Sequence, residues 1–178
     1  MPLARLLAAA VLLALVAASP AAAAGGPMRC NGEAALCDRP FDRTVLPATH
    51  NAMSAQALGW QFPNQQLSIP DQLRLGIRGF LIDTYYAHRQ PGGAVVIDPV
   101  KTAQSELYVC HVLCELGATP LVDVLRAMRD HLRAEPDSVL AVVNEDSIAP
   151  RDFRRAVRRS GLRRYVYSRP PGSRWPTT

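Results

Sequence analysis

The sequence predicts an α/β fold in which strands and helices alternate. Three observations lead there. Residues 77–86 run almost continuously apolar up to Asp83, as a strand buried on both faces does. Residues 139–143 form a β-branched run that ends in Asn144-Glu145-Asp146. Between them, Leu121, Val124, Leu125, Met128 and Leu132 recur at helical spacing and give one apolar face.

Taken in order, the chain begins with a leader. Residues 1–24 carry a single charge, Arg5, then the apolar run of residues 6–16, then a small-residue stretch closing on Ala21 to Ala24. This is the pattern of a secretory signal peptide, and the run is short for a membrane span. Cleavage after Ala24 is expected, leaving residues 25–178 as one domain secreted from the cell. Removal of Arg5 takes the net charge from +5 to +4. Much of that excess sits in one segment: Arg151, Arg154, Arg155, Arg158, Arg159, Arg163 and Arg164. Such a cluster meets anionic phospholipid or nucleic acid, or forms a solvated helix face. The one aromatic residue among these arginines, Phe153, belongs to the expected buried face, so they do not form the aromatic platform that nucleic acid requires and no nucleic-acid partner is expected.

Residues 31–42 are polar and bounded by cysteines, a stapled loop. Residues 44–48 read as a short strand delivering His50-Asn51. Pro63 marks residues 60–64 as loop, and Ile69-Pro70-Asp71 opens a helix that ends at Gly76. The strand of residues 77–86 is followed by the turn Gln90-Pro91-Gly92-Gly93. Residues 107–112 read as a strand interrupted by His111. Thr119-Pro120 suits a helix start, threonine as cap and proline in the first position. Pro150-Arg151-Asp152 opens the arginine-rich helix, whose buried face is Phe153, Ala156, Val157 and Leu162. Residues 165–167 read as one more strand, and residues 173–178 as loop.

The four cysteines, Cys30, Cys37, Cys110 and Cys114, suggest two disulfides in an exported chain. Three pairings are possible, of which the local one, Cys30–Cys37 with Cys110–Cys114, is preferred. Zinc would need both pairs to converge, and neither has the two-residue spacing of a zinc knuckle. Four strands end in polar groups: His50-Asn51, Asp83, His111 and Glu145. In a β/α barrel such ends line the active face. Taken singly, each histidine is a strand-end residue satisfied by backbone, and Asp83 a cap or ion-pair partner. His88 and His131 read as structural or exposed, and Trp60, Phe62, Tyr85 and Tyr86 as packing residues.

The succession C-N-G-E-A-A-L-C-D-R-P, A-T-H-N, D-Q-L-R-L-G-I-R-G-F-L-I-D, L-Y-V-C-H, P-L-V-D-V-L-R and S-V-L-A-V-V-N-E-D resembles the phosphatidylinositol-specific phospholipase C X-domain superfamily, most of all its secreted members. The likeness covers nearly all of residues 25–178 and rests on the order of short motifs. It implies a distorted TIM (β/α) barrel that cleaves phosphodiesters, with a phospholipid headgroup at a membrane surface as substrate. His50 would be the general base that deprotonates the inositol 2-hydroxyl, and His111 the general acid that protonates the departing diacylglycerol oxygen. Imidazole suits both tasks, since its unperturbed pKa of about 6.5 lets one ring take a proton while another gives one.

The resemblance also implies the calcium-dependent subtype, with Asn51, Asp83 and Glu145 as candidate ligands for Ca²⁺, a hard cation that takes oxygen donors. Two positions bear on this. The residue two before Asp83, an acid in many calcium-dependent members, is Leu81, and Arg78 is not assigned to phosphate. A full barrel takes about 250 residues, so only its N-terminal half, about four β/α units, is expected in residues 25–178, with the domain incomplete at its C-terminus. Two other readings stand beside the first: a non-catalytic or truncated inactive secreted module on the same fold, and a glycerophosphodiesterase-like hydrolase.

Overall fold

The computed structural model describes residues 28–177; the leader expected over residues 1–24 lies outside them. Among the described residues the order is β1 (Ala48–Thr49), α1 (Ile69–Arg74), β2 (Gly79–Arg89), β3 (Val95–Ile97), β4 (Glu106–Val109), β5 (Thr119–Pro120), α2 (Leu121–Ala134), β6 (Ala141–Asp146) and α3 (Pro150–Arg159). The result is one six-stranded mixed sheet with three helices, and the sheet does not close on itself.

Everything is organised around β2. Its first half runs parallel to β1 on one edge, with Ala48 opposite Gly79, and to β6 on the other, with Asp83 opposite Glu145. Its second half pairs antiparallel with β4 and β3, Ala87 lying between Glu106 on one side and Ile97 on the other. The connection lengths explain the change of sense. Parallel neighbours need a crossover of a dozen or more residues, which α1 and α2 provide, whereas the short turn at residues 90–94 allows only an antiparallel return. The parallel sheet or barrel that alternating strands and helices imply is therefore corrected at β4, which runs antiparallel, and β3 and β5 are antiparallel strands that the sequence did not announce.

Other boundaries move for local reasons. The strand expected at residues 44–48 is confined to Ala48–Thr49, and a 3₁₀ turn (Phe41–Arg43) precedes it. The strand expected at residues 107–112 ends at Val109, because Cys110 and His111 turn away into a disulfide-closed loop. Thr119 and Pro120 pair with β4 instead of starting α2, which leaves Pro120 in the cap position without a side-chain bond. Residues 165–167 join no ladder; a 3₁₀ turn (Leu162–Tyr165) leads into irregular chain. Asp83 sits inside β2 and not at its end.

α1 and α3 follow their start signals. Ser68 caps α1 by accepting from the Asp71 N–H, and Pro70 and Pro150 stand in the first turns of their helices. Alternation along β2 sends Phe80, Ile82 and Thr84 to one face, where all three are fully buried with Leu121, Leu125 and Met128 of α2. Leu81, Asp83 and Tyr85 take the other face.

α3 is pinned to the sheet by a polar cluster. The Tyr86 hydroxyl donates to Asp152 Oδ2 at 2.6 Å and accepts from the Ala149 N–H at 3.0 Å, while Lys101 Nζ donates to the same carboxylate at 2.7 Å. The Lys101 and Tyr86 bonds hold the Asp152 carboxyl down at about 2, against an ordinary 3.8. The unfolded chain therefore takes up this proton before the folded one does. The stabilisation is complete above the ordinary value and is lost as pH falls through it toward about 2. Urea midpoints followed down that range should fall more steeply for the native chain than for Asp152→Asn. Parallel curves would remove Asp152 as the cause.

Candidate functional site

The chain after β1 turns sharply because Asn51 takes a left-handed conformation, φ +49°, which asparagine tolerates better than most residues. The turn places Asn51 under the sheet face that carries Asp83, with only 3% of its surface exposed. Gln72 of α1 fixes this loop from behind. Its Nε2 donates to the carbonyls of Ala52 (2.9 Å) and Leu67 (2.7 Å), and its Oε1 accepts from Thr49 Oγ1 at 2.7 Å. Gln65 Nε2 donates to the His50 carbonyl at 2.7 Å.

His111 arrives from the other side. The Cys110–Cys114 disulfide closes a small ring around His111, Val112 and Leu113, and the Cys110 N–H bonds to the Asp83 carbonyl at 3.3 Å. Val112 takes φ +60°, a region that β-branched residues seldom enter, and such strain collects at functional sites. Inside this frame three side chains form one chain of contacts. His111 Nδ1 lies 3.1 Å from Asp83 Oδ2, and His111 Nε2 lies 3.4 Å from Asn51 Nδ2. Asp83 accepts only, so Nδ1 must carry a proton and donate. With the neutral ring, Nε2 then accepts from the Asn51 amide. When Nε2 is protonated, the amide must instead turn its oxygen toward it. The imidazole is held at one nitrogen by a buried carboxylate and is 39% exposed overall.

The structure thus brings Asn51, Asp83 and His111 together. His50 stands next to them in sequence, exposed, with no side-chain hydrogen bond among the described residues. Glu145 faces the same side of the sheet as Asp83 because the two are in register on parallel strands. Burial and then the negative charges of Asp83 and Glu145 push the Tyr85 hydroxyl above its usual value. Asn144 and Asp146 point to the opposite face, so the register selects Glu145 from the three polar residues there.

The site can be weighed against a metal. Among the described residues no group of three or more His, Cys, Asp or Glu side chains is placed to hold an ion. Two in-register carboxylates and the Asn51 amide do make an all-oxygen donor set, which suits a hard cation in kind, though one Asp83 oxygen is already committed to His111.

Arg78 is occupied elsewhere: its Nη1 donates to the Leu73 and Ile77 carbonyls at 2.8 and 3.0 Å. His88 bonds to Asp98 at 2.7 Å, and Trp60 is buried beneath Gly117. Both expected disulfides are formed, Cys30–Cys37 and Cys110–Cys114, each with a Cα separation of 5.0 Å. They are compatible with an oxidising, extracellular setting. Gln72 was not singled out from the sequence. Its signal is a polar residue three after Ile69, on the apolar face of α1.

Fold and site together describe a mixed α/β domain with an oriented imidazole on one face of its sheet. A family model described as PI-PLC X 1 matches residues 36–178, and the chain belongs to the PI-PLC X domain family. It is 26% identical over 155 residues to a PI-PLC X domain-containing protein of Arabidopsis thaliana, an alignment covering 78% of this chain and 33% of that relative. The chain thus spans about a third of the length of the curated relative it matches. No solved structure matches it.

Proposed function

We propose that this chain carries the acid–base site of a secreted phosphoric diester hydrolase of the phosphatidylinositol-specific phospholipase C type, on the first part of a (β/α) barrel. The observation that carries this reading is the Asp83–His111–Asn51 chain, which orients one imidazole and leaves it partly open to solvent. His50 takes the proton of the inositol 2-hydroxyl as its oxygen attacks phosphorus. The bond from phosphorus to the diacylglycerol oxygen breaks, and His111 gives that oxygen a proton. The products are a cyclic inositol phosphodiester and diacylglycerol, and the substrate is a phospholipid headgroup at a membrane surface. Ca²⁺ held by Asn51, Asp83 and Glu145 would offset charge on the phosphate oxygens.

The experiment is hydrolysis of phosphatidylinositol by the purified protein, with added calcium and with chelator. Release of cyclic inositol phosphate supports the reading, and its loss in chelator supports the metal. A second reading, a module that keeps the fold without turnover, is favoured by the open sheet, in which β6 pairs only with β2 among the described residues. Absence of release from folded protein would favour that reading and remove the first.

A further inference from the structure

The face of the sheet opposite the candidate site holds a feature that phosphodiester chemistry does not use. Val142 of β6 is in register with Phe80, and so points away from Asp83 and Glu145. On that side a cavity of about 840 Å³ lies between α2, α3 and the chain's last described segment. This volume falls within the roughly 300–1,000 Å³ typical of small-molecule sites. One wall is apolar helix surface, including Leu125, Met128, Phe153 and Val157. The other is a strap formed by residues 165–177, tied down by the Phe41 N–H to the Pro176 carbonyl at 2.9 Å and by the Phe41 ring packed at a tilt against Trp175, centroids 5.1 Å apart. Val142, Val166, Tyr167 and Trp175 stay exposed around it, between 36% and 52%. An exposed apolar patch of this kind, set among polar neighbours, marks a binding surface.

The charges around this cavity have one sign. Its charged lining residues are Arg154, Arg158 and Arg163, with no aspartate, glutamate or histidine among the rest. None of the three makes an ion pair among the described residues. An apolar slot bordered by three unneutralised guanidinium groups complements a molecule with a hydrocarbon body and an anionic end. Guanidinium binds such ends through charge-assisted, often paired hydrogen bonds. We propose that this groove is a binding site for a monomeric single-chain anionic lipid. Its tail lies between α2, α3 and the Tyr167–Trp175 strap, and its head meets Arg154, Arg158 and Arg163. The site is separate from the His111 centre and stands whether or not that centre turns over.

The test is a titration of the purified protein with oleate below its micellar range, read by tryptophan fluorescence. Trp60 is buried elsewhere in the core, so Trp175 supplies the signal. Oleyl alcohol serves as the uncharged control. Saturable binding of one oleate per chain is expected, with oleyl alcohol about tenfold weaker or more, since the charge-assisted contacts are lost. The triple variant Arg154→Gln, Arg158→Gln, Arg163→Gln changes only exposed side chains and should weaken oleate by a similar factor. Four results would overturn the proposal. They are no saturable binding, equal binding of acid and alcohol with the triple variant unchanged, association with anionic vesicles only, and light scattering showing that a second copy of the chain closes the groove.

Discussion

Under the proposed phosphodiesterase reading, cleavage by the His111→Ala variant is expected to fall about a hundredfold to ten-thousandfold, the range that loss of a positioned proton donor produces. The fold should survive, because the ring is 39% exposed and lies outside the core. Asp83→Asn should have a smaller effect of a different kind. The amide oxygen still accepts from Nδ1, so the ring keeps a partner there, but the charge on that partner is gone. The loss should appear in kcat, with KM little changed. A raised KM with kcat unmoved would mean that Asp83 only supports the loop. Undiminished turnover by His111→Ala would remove His111 from the chemistry.

Much of this site was legible in the sequence because its parts are local. His50-Asn51 follows a short strand, Asp83 interrupts an apolar run, and the local pairing of Cys110 with Cys114, preferred among three possible, is the one formed. What the sequence obscured is pairing. Periodicity shows that a strand exists but not which way its neighbour runs, so the antiparallel β4 reads as a member of a parallel set, and the three-residue β3 is too short to announce itself at all. The proximity of His111 to Asp83 depends on that reversal: β4 runs back along β2 from Ala87 to Thr84 and delivers Cys110 to the Asp83 carbonyl. Thr119-Pro120 is a similar case. A good helix-start pair was diverted into a two-residue strand because β4 offered it a backbone ladder. Gln72 escaped notice because its partners, the carbonyls of Ala52 and Leu67, leave no mark on composition or period.

The second large effect should come from a residue with no chemistry of its own. At Gly79 a Cβ would stand 2.6 Å from Ala48 Cβ and 3.2 Å from Ala48 Cα, closer than such atoms come without something moving. The colliding atoms are a methyl fixed to the backbone and the backbone itself, so no rotamer relieves them. Gly79→Ala must therefore push β1 away from β2 at the Ala48–Gly79 pair. Overpacking of this kind costs about 1–3 kcal/mol, which will show as a lowered Tm. The larger consequence is positional. β1 leads directly into His50 and Asn51, and the Asn51 amide is already 3.4 Å from His111 Nε2. A misplacement of about 1 Å can cost on the order of a hundredfold in rate. The expected result is a variant that remains folded at assay temperature, with kcat lowered about a hundredfold and KM little changed. The matching control is Gly92→Ala, in the turn after β2, where an added Cβ meets nothing within 4 Å. If Gly79→Ala lowers Tm while leaving kcat at the native value, the spacing of β1 and β2 serves the fold alone. The reading that β1 aims the catalytic groups would then fail, even with His111 intact.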